Sequence, residues 1–147
     1  MSGVVFDTSV YITARRRRQR ELLDAHRYGD ELIYLSAVVA QELYVGATTR
    51  SLRRQVDRLW HSFEQVGRLL APTASDWRET GLLLSRIGEQ LGFSLVGRGR
   101  LTNDALLALS ARRHGLTVLT LNVSDFALLA RFRPFRFVVA NPDPGTS

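Results

Sequence analysis

Cysteine is missing from this 147-residue chain, and so is lysine: all 20 basic residues counted as Lys or Arg are arginine. The first absence removes disulfides, Cys-zinc sites, iron–sulfur clusters and thiol nucleophiles together, and sets the expectation of a cytoplasmic protein. The second removes enzyme classes built around a lysine. Apolar runs are short as well. None approaches the roughly 18 residues of a membrane span, so no membrane association is expected. The opening residues, Met1 to Asp7, have no basic start and only three consecutive large apolar side chains before the acid, which does not read as a secretory signal.

What is present looks globular. Hydrophobic residues at 45% and charged residues at 23% argue against a disordered, collagenous or coiled-coil chain. A chain of this length suits one domain that buries roughly 68–70% of the surface its unfolded form exposes. No linker, repeat or low-complexity segment divides it, so residues 1–140 are read as a single domain and 141–147 as a C-terminal tail. The formal charge of +6 and pI near 10.9 suit an anionic partner such as nucleic acid, since arginine presents a planar fork matched to phosphate. A genome that favours arginine codons would give the same charge without such a partner.

The apolar pattern alternates strands and helices. Residues 3–6 read as a buried strand ending at Asp7, with Thr8 or Ser9 capping the helix that carries Val10, Tyr11 and Ile12. A helix is predicted over 21–28, a strand over 32–35, and a helix over 37–47 capped by Ser36. Leu52, Val56, Leu59, Trp60 and Phe63 mark an amphipathic helix. Residues 66–70 suggest a third strand, and a helix follows from Ser75 or Asp76. The stretch 92–101 reads as a loop. Asn103 and Asp104 open a helix over 105–114, followed by a strand over 117–121, a helix over 125–132 and a strand over 137–139. The fold class expected is α/β, a three-layer α/β/α sandwich with a mostly parallel central sheet.

In an open parallel sheet, ligands bind outside the carboxyl ends of the strands. Asp7 follows the first strand directly, and Asn122 and Asp125 follow the strand that ends at Thr120 and Leu121. Asp104 leads into that strand, and Glu42 lies on the helix after the second. Taken singly, each acid has a structural use: Asp7, Asp104 and Asp125 as caps or first-turn acids, Glu42 as a surface charge. Gathered at one edge of the sheet, they call for a neutralising cation, and oxygen ligands select Mg²⁺ or Mn²⁺. Such an ion can hold a phosphodiester oxygen, activate water and stabilise a leaving oxygen.

The segments Val4 to Ser9, Ala40 to Ala47, Asn103 to Ala108 and Thr117 to Phe126 resemble, in order, the motifs of PIN-domain proteins. In length and in the pattern Glu42-Leu43-x-x-Gly46, the chain is similar to the VapC-type toxins of bacterial toxin–antitoxin systems. The resemblance covers residues 4–126. It implies a Mg²⁺- or Mn²⁺-dependent endoribonuclease, inhibited by a small VapB-like antitoxin and commonly homodimeric. Asp7, Glu42 and Asp104 take the family's first three acidic positions. Many relatives have an Asp two residues after the threonine, and here that place is Asn122. It keeps a carbonyl oxygen but loses a charge, which leaves Asp125, three residues on, as the other source of a carboxylate. The implied catalytic and metal-binding set is therefore Asp7, Glu42 and Asp104 with Asp125 or Asn122. Ser9 and Thr120 are expected to orient the carboxylates by hydrogen bonds. Attack by metal-activated water would leave a 5′-phosphate and a 3′-hydroxyl.

Arg15 and Arg16, in the basic run 15–18, could follow an RNA backbone, face solvent or meet an acidic antitoxin. Arg98 and Arg100, flanked by glycines shortly before Asp104, are placed to hold a phosphate. Trp60, Phe63 and Trp77 fall on apolar helical stripes and read as core or interface. His26, His61 and His114 share no metal-ligand spacing and read as surface or helix-end residues.

Other α/β families with an early Asp do not fit. A haloacid-dehalogenase-like enzyme needs a second Asp where Ser9 stands, and a lysine. A receiver domain needs adjacent acids and a lysine. A P-loop needs Gly-Lys, and Gly97-x-Gly99 lacks the third glycine of a dinucleotide motif and follows no strand. Two alternatives survive: a catalytically weak PIN fold that only binds RNA or protein, suggested by Asn122, and a nuclease acting on DNA or structured RNA.

Overall fold

The computed structural model describes residues 2–96 and 99–140, with Arg100 described by its backbone alone. The tail at 141–147 and Arg98 therefore lie outside the described residues. At the centre is β1 (Gly3–Phe6), all four residues buried, parallel to β3 (Glu31–Ser36) on one side and β5 (Thr117–Thr120) on the other. A strand buried on both faces needs a continuous apolar run, which Val4, Val5 and Phe6 supply. Gly3 starts it because a Cβ there would come within 2.7 Å of Leu116 and 2.9 Å of Tyr34. Beyond β5, the parallel strand β6 (Phe137–Val139) forms one edge of the sheet.

The other edge is divided. The first half of β3 pairs antiparallel with β2 (Arg27–Tyr28), and its last residues, Leu35 and Ser36, pair parallel with β4 (Leu69–Leu70). His26 and Arg68 stand at the junction. The Arg68 guanidinium donates to the Ile33 carbonyl at 3.0 Å and to His26 Nδ1 at 2.9 Å, tying the two short segments together.

Seven α-helices complete the α/β/α arrangement among the described residues: α1 (Thr8–Arg16), α2 (Arg20–Leu23), α3 (Ala37–Gly46), α4 (Arg50–Gln65), α5 (Ala74–Leu91), α6 (Arg100–Arg113) and α7 (Val123–Phe132). The main core joins the sheet to α1, α3, α4 and the middle of α6, with Phe6, Ile33, Val39 and Phe63 inside it. A smaller core, including Leu83, Ile87, Leu109 and Leu129, binds α5, α6 and α7 together.

Several expected boundaries move, for identifiable reasons. Asp7 caps α1 itself by accepting from the Thr8 amide at 2.8 Å, in place of Thr8 or Ser9. The helix expected over 21–28 stops at Leu23, because Gly29 and Asp30 form a two-residue hairpin turn that makes Arg27 and Tyr28 a strand. The strand expected over 66–70 shrinks to two residues, since Val66 and Gly67 (φ 70°) close α4. The loop expected over 92–101 contains a 3₁₀ turn at Phe93–Leu95, and α6 already begins at Arg100. Asp104 therefore lies in the second turn of α6 and does not open it.

Two side-chain expectations also change. Trp77 is 56% exposed and lies outside the core that Ile87 of the same helix enters, whereas Phe63 is fully buried. His26 is neither a surface nor a helix-end residue. Its ring stacks on Phe63 with centroids 4.3 Å apart and lies 3.1 Å from the Ser62 hydroxyl.

Candidate active site

Asp7 ends the central strand, so its carboxylate projects from the carboxyl edge of the sheet, 4% exposed. A charge this buried needs several donors, and it has three. Oδ1 accepts from the Thr8 amide, and Oδ2 accepts from the hydroxyls of Ser9 and Thr120, each at 2.9 Å. Both expected orienting residues thus touch Asp7 directly. Each is fixed in turn: the Leu121 amide donates to Ser9 Oγ and the Asn122 amide to Thr120 Oγ1.

The network extends to the remaining acids on both sides. Thr8 donates through Oγ1 to Glu42 Oε1 at 2.9 Å, and Glu42 is also hydrogen-bonded by the Asn103 side chain. On the other side, Asn122 Nδ2 donates to Asp125 Oδ2 at 3.0 Å. A continuous chain therefore runs from Asn103 through Glu42, Thr8, Asp7, Thr120 and Asn122 to Asp125. Asp104, beside Asn103 on α6, is 9% exposed. Sequence reasoning missed Thr8 and Asn103 as members, reading them as a cap and a helix opener. Their signal was adjacency, since each is a short polar residue next to a candidate acid.

Electrostatics mark Glu42 as unusual. Burial pushes its carboxyl above the ordinary carboxylate range, Asp7 nearby pushes it further, and the Thr8 and Asn103 hydrogen bonds oppose both. Among the described residues no three Asp, Glu or His side chains stand close enough together to hold one ion. The expected four-residue ligand set is thus not gathered as a cage. The donor chemistry still fits a hard cation, because Mg²⁺ is ordinarily held by one or two carboxylates with water and substrate phosphate completing the shell. Arg15 and Arg16 lie in the last turn of α1, away from Asp7, while Arg98 and the Arg100 side chain fall outside the described residues.

A family model for the PIN domain matches residues 4–131, which includes every acid of this network. The chain belongs to the PIN domain family. PIN domains are nucleases at the level of the family, and acids at the carboxyl edge of a parallel sheet suit that chemistry. The fold is also that of several solved chains. DNA-bound VapBC from Salmonella typhimurium matches with a TM-score of 0.64 and 20% identity, over 95% of this chain and 98% of that one. VapBC-5 from Mycobacterium tuberculosis, a member of the VapBC family of toxin–antitoxin systems, matches with 0.58 and 24% over 95% and 100%. FitAcB from Neisseria gonorrhoeae matches with 0.54 and 23% over 95% and 97%. Comparison with curated proteins finds no match. Among the described residues no helix of this PIN domain is long and apolar enough to cross a membrane.

Proposed function

We propose that this PIN domain is a Mg²⁺- or Mn²⁺-dependent endoribonuclease of the VapC type, the toxin of a toxin–antitoxin pair. The observation that carries the reading is the threefold-held Asp7 carboxylate, linked by hydrogen bonds to Glu42 on one side and Asp125 on the other. Asp7 with one neighbour from Glu42, Asp104, Asp125 or Asn122 would hold the ion, water and the substrate phosphate completing its shell. When bound, the ion supplies charge neutralisation for the phosphodiester and lowers the pKa of water.

The chain's own residues do the rest. Ser9, Thr8 and Thr120 fix the direction of the Asp7 oxygens, so the site is oriented before substrate arrives. Water attack leaves a 5′-phosphate and a 3′-hydroxyl. By similarity to VapBC-5, a member of a family of toxin–antitoxin systems, the partner is an antitoxin protein, and the resemblance to VapC-type toxins implies a homodimer as the working unit.

The test is cleavage of a mixed RNA pool by purified protein with Mg²⁺ or Mn²⁺, with chelator, and by Asp7→Asn and Asp104→Asn. Expected are metal-dependent cuts bearing 5′-phosphates, lost in both variants. A 2′,3′-cyclic phosphate product would overturn the mechanism, because it requires attack by the ribose hydroxyl. A second reading, a PIN fold that only binds RNA or protein, draws on the Asn122 amide standing where a carboxylate is usual and bonding Asp125. It gains if the chain binds RNA and neither cuts it nor takes up Mn²⁺.

A further inference from the structure

The donors around Asp7 are shared unevenly between its two carboxylate oxygens. Oδ2 accepts from the Ser9 and Thr120 hydroxyls, whereas Oδ1 accepts, among the described residues, from the Thr8 amide alone. A carboxylate has about two acceptor positions on each oxygen. Oδ2 is therefore full, and Oδ1 keeps one position open. Glu42 is restricted in a similar way. Its Oε1 accepts from the Thr8 hydroxyl, and the Asn103 side chain claims a further position.

The two bonds that fill Oδ2 have no freedom to turn away. A hydroxyl has a single proton to give. Ser9 Oγ accepts from the Leu121 amide at 3.1 Å, and Thr120 Oγ1 accepts from the Asn122 amide at 2.8 Å. Both amides can only donate and the ionised carboxylate can only accept, so each hydroxyl proton is directed at Asp7. Thr120 is completely buried, and its proton, once turned from Asp7, would have no solvent to meet.

The acceptor count bears on which cation the acids can hold. Ca²⁺ gathers roughly six to eight oxygens at about 2.3–2.6 Å and readily takes both oxygens of one carboxylate. Mg²⁺ demands an octahedron at about 2.0–2.1 Å and keeps several waters, so single carboxylate oxygens suffice, and Mn²⁺ suits the same oxygen octahedron. To chelate through both oxygens, Asp7 would have to lose a bond from Ser9 or Thr120. We propose that Ser9 and Thr120 are ion-selecting positioning residues: by occupying Oδ2 they leave Asp7 a single-oxygen ligand, which admits Mg²⁺ or Mn²⁺ and disfavours Ca²⁺. The spacing of the acids acts in the same direction, since among the described residues no three stand close enough together to serve one ion. This role rests on the metal-dependent nuclease reading and carries it from the need for an ion to the choice among ions.

The test reads binding and needs no cleavage. Mn²⁺ and Ca²⁺ are titrated calorimetrically into the metal-free full chain of wild type, Ser9→Ala, Thr120→Val and the conservative Thr120→Ser, and the ratio of the two dissociation constants is taken for each. General loosening of the fold weakens both ions alike and cancels in that ratio. Wild type is expected to prefer Mn²⁺ to Ca²⁺ by about tenfold or more, and the preference should shrink roughly tenfold in Ser9→Ala and in Thr120→Val, the size of one hydrogen bond to a charged group. Thr120→Ser keeps the hydroxyl and should keep the wild-type ratio. If Thr120→Val fails to fold, Ser9→Ala decides alone, because it leaves the buried Thr120 bond in place. An unchanged ratio in Ser9→Ala overturns the proposal, as does a wild type that holds Ca²⁺ as tightly as Mn²⁺, and both results leave the nuclease reading standing. Uptake of neither ion by wild type overturns the metal-dependent reading itself, and the selecting role with it.

Discussion

Thr120 donates to Asp7 Oδ2 at 2.9 Å across 113 residues of sequence, and the same hydroxyl accepts from the Asn122 amide. One side chain thus joins the end of β5 to the end of β1 and holds the turn into α7. Thr120→Val keeps the branched shape and removes both bonds, leaving a buried amide and part of a buried carboxylate unsatisfied. The expected loss is about 1–3 kcal/mol of stability, read by chemical denaturation. RNA cleavage should fall further than the residual folded fraction explains, because Asp7 loses its orientation.

Asn122 links to Asp125 by the bond from its Nδ2. Asn122→Asp would replace that donor with a second acceptor and set two carboxylates against each other. Without divalent ion the variant should melt below wild type. With saturating Mn²⁺ it should gain more than wild type does, since a cation that binds only the folded state stabilises it in proportion to its affinity. Melting curves with and without Mn²⁺ check this, and equal Mn²⁺ shifts in the two proteins would count against Asn122 lying at the ion.

His26 supplies a pH dependence whose sign is fixed by its partners. Burial, then the Arg68 charge, lowers its pKa below the ordinary 6.5, and Asp24 opposes them. Arg68 can only donate, so the bond at Nδ1 requires neutral imidazole, while Ser62 and Phe63 add no negative charge to stabilise the cation. The folded protein therefore takes up this proton less readily than the unfolded chain. Stability is full above pH 6.5 and falls as pH drops through that value toward the lower folded one. Thermal melts between pH 7.5 and 5 should show the decline, and His26→Gln should flatten that part of the profile.

Arg113 grips Asp76 from α6 through Nε and Nη2, at 3.0 to 3.2 Å, while Asp76 and Thr73 form a reciprocal capping box at the start of α5. Burial alone would push the Asp76 carboxyl up, but the hydrogen bonds from Arg113 and Thr73 hold it below its ordinary 3.8. Arg113→Met keeps the aliphatic stem and should cost about 1–3 kcal/mol at neutral pH. Since the depressed pKa contributes stability only while Asp76 is ionised, the gap between the two proteins should close as pH falls below 3.8. Urea unfolding at pH 7 and pH 3 measures it.

The parts of this fold legible in the sequence are those governed by a strong period or a short-range signal. The apolar run Val4 to Phe6 marked a buried strand, Ser36 capped α3 as expected, and 137–139 formed the predicted strand. Asp7 was legible because it falls at a strand end, where a parallel sheet gathers its ligands, while Ser9 and Thr120 came from the resemblance to PIN-domain motifs. The illegible parts depend on long-range packing. The helix over 21–28 had adequate propensity, but the hairpin bond partners in β3 claim Arg27 and Tyr28. Neither the stacking of His26 on Phe63 nor the bridge from Thr8 to Glu42 leaves a trace in local spacing, since the partners are separated by 37 and 34 residues.

The divided edge beside β3 has a consequence for how this protein keeps itself apart from its neighbours. A full-length outer strand protects the strand within by its own ladder, whereas here Ile33 and Leu35 donate to separate pieces, at the His26 and Arg68 carbonyls. The Arg68 side chain spans the seam, bonding Ile33 and His26. Loosening it would bare an apolar strand with free backbone groups, the form in which sheets recruit other sheets. Mild acid or loss of Arg68 would therefore be felt first as clumping of still largely folded molecules, before any cooperative unfolding begins.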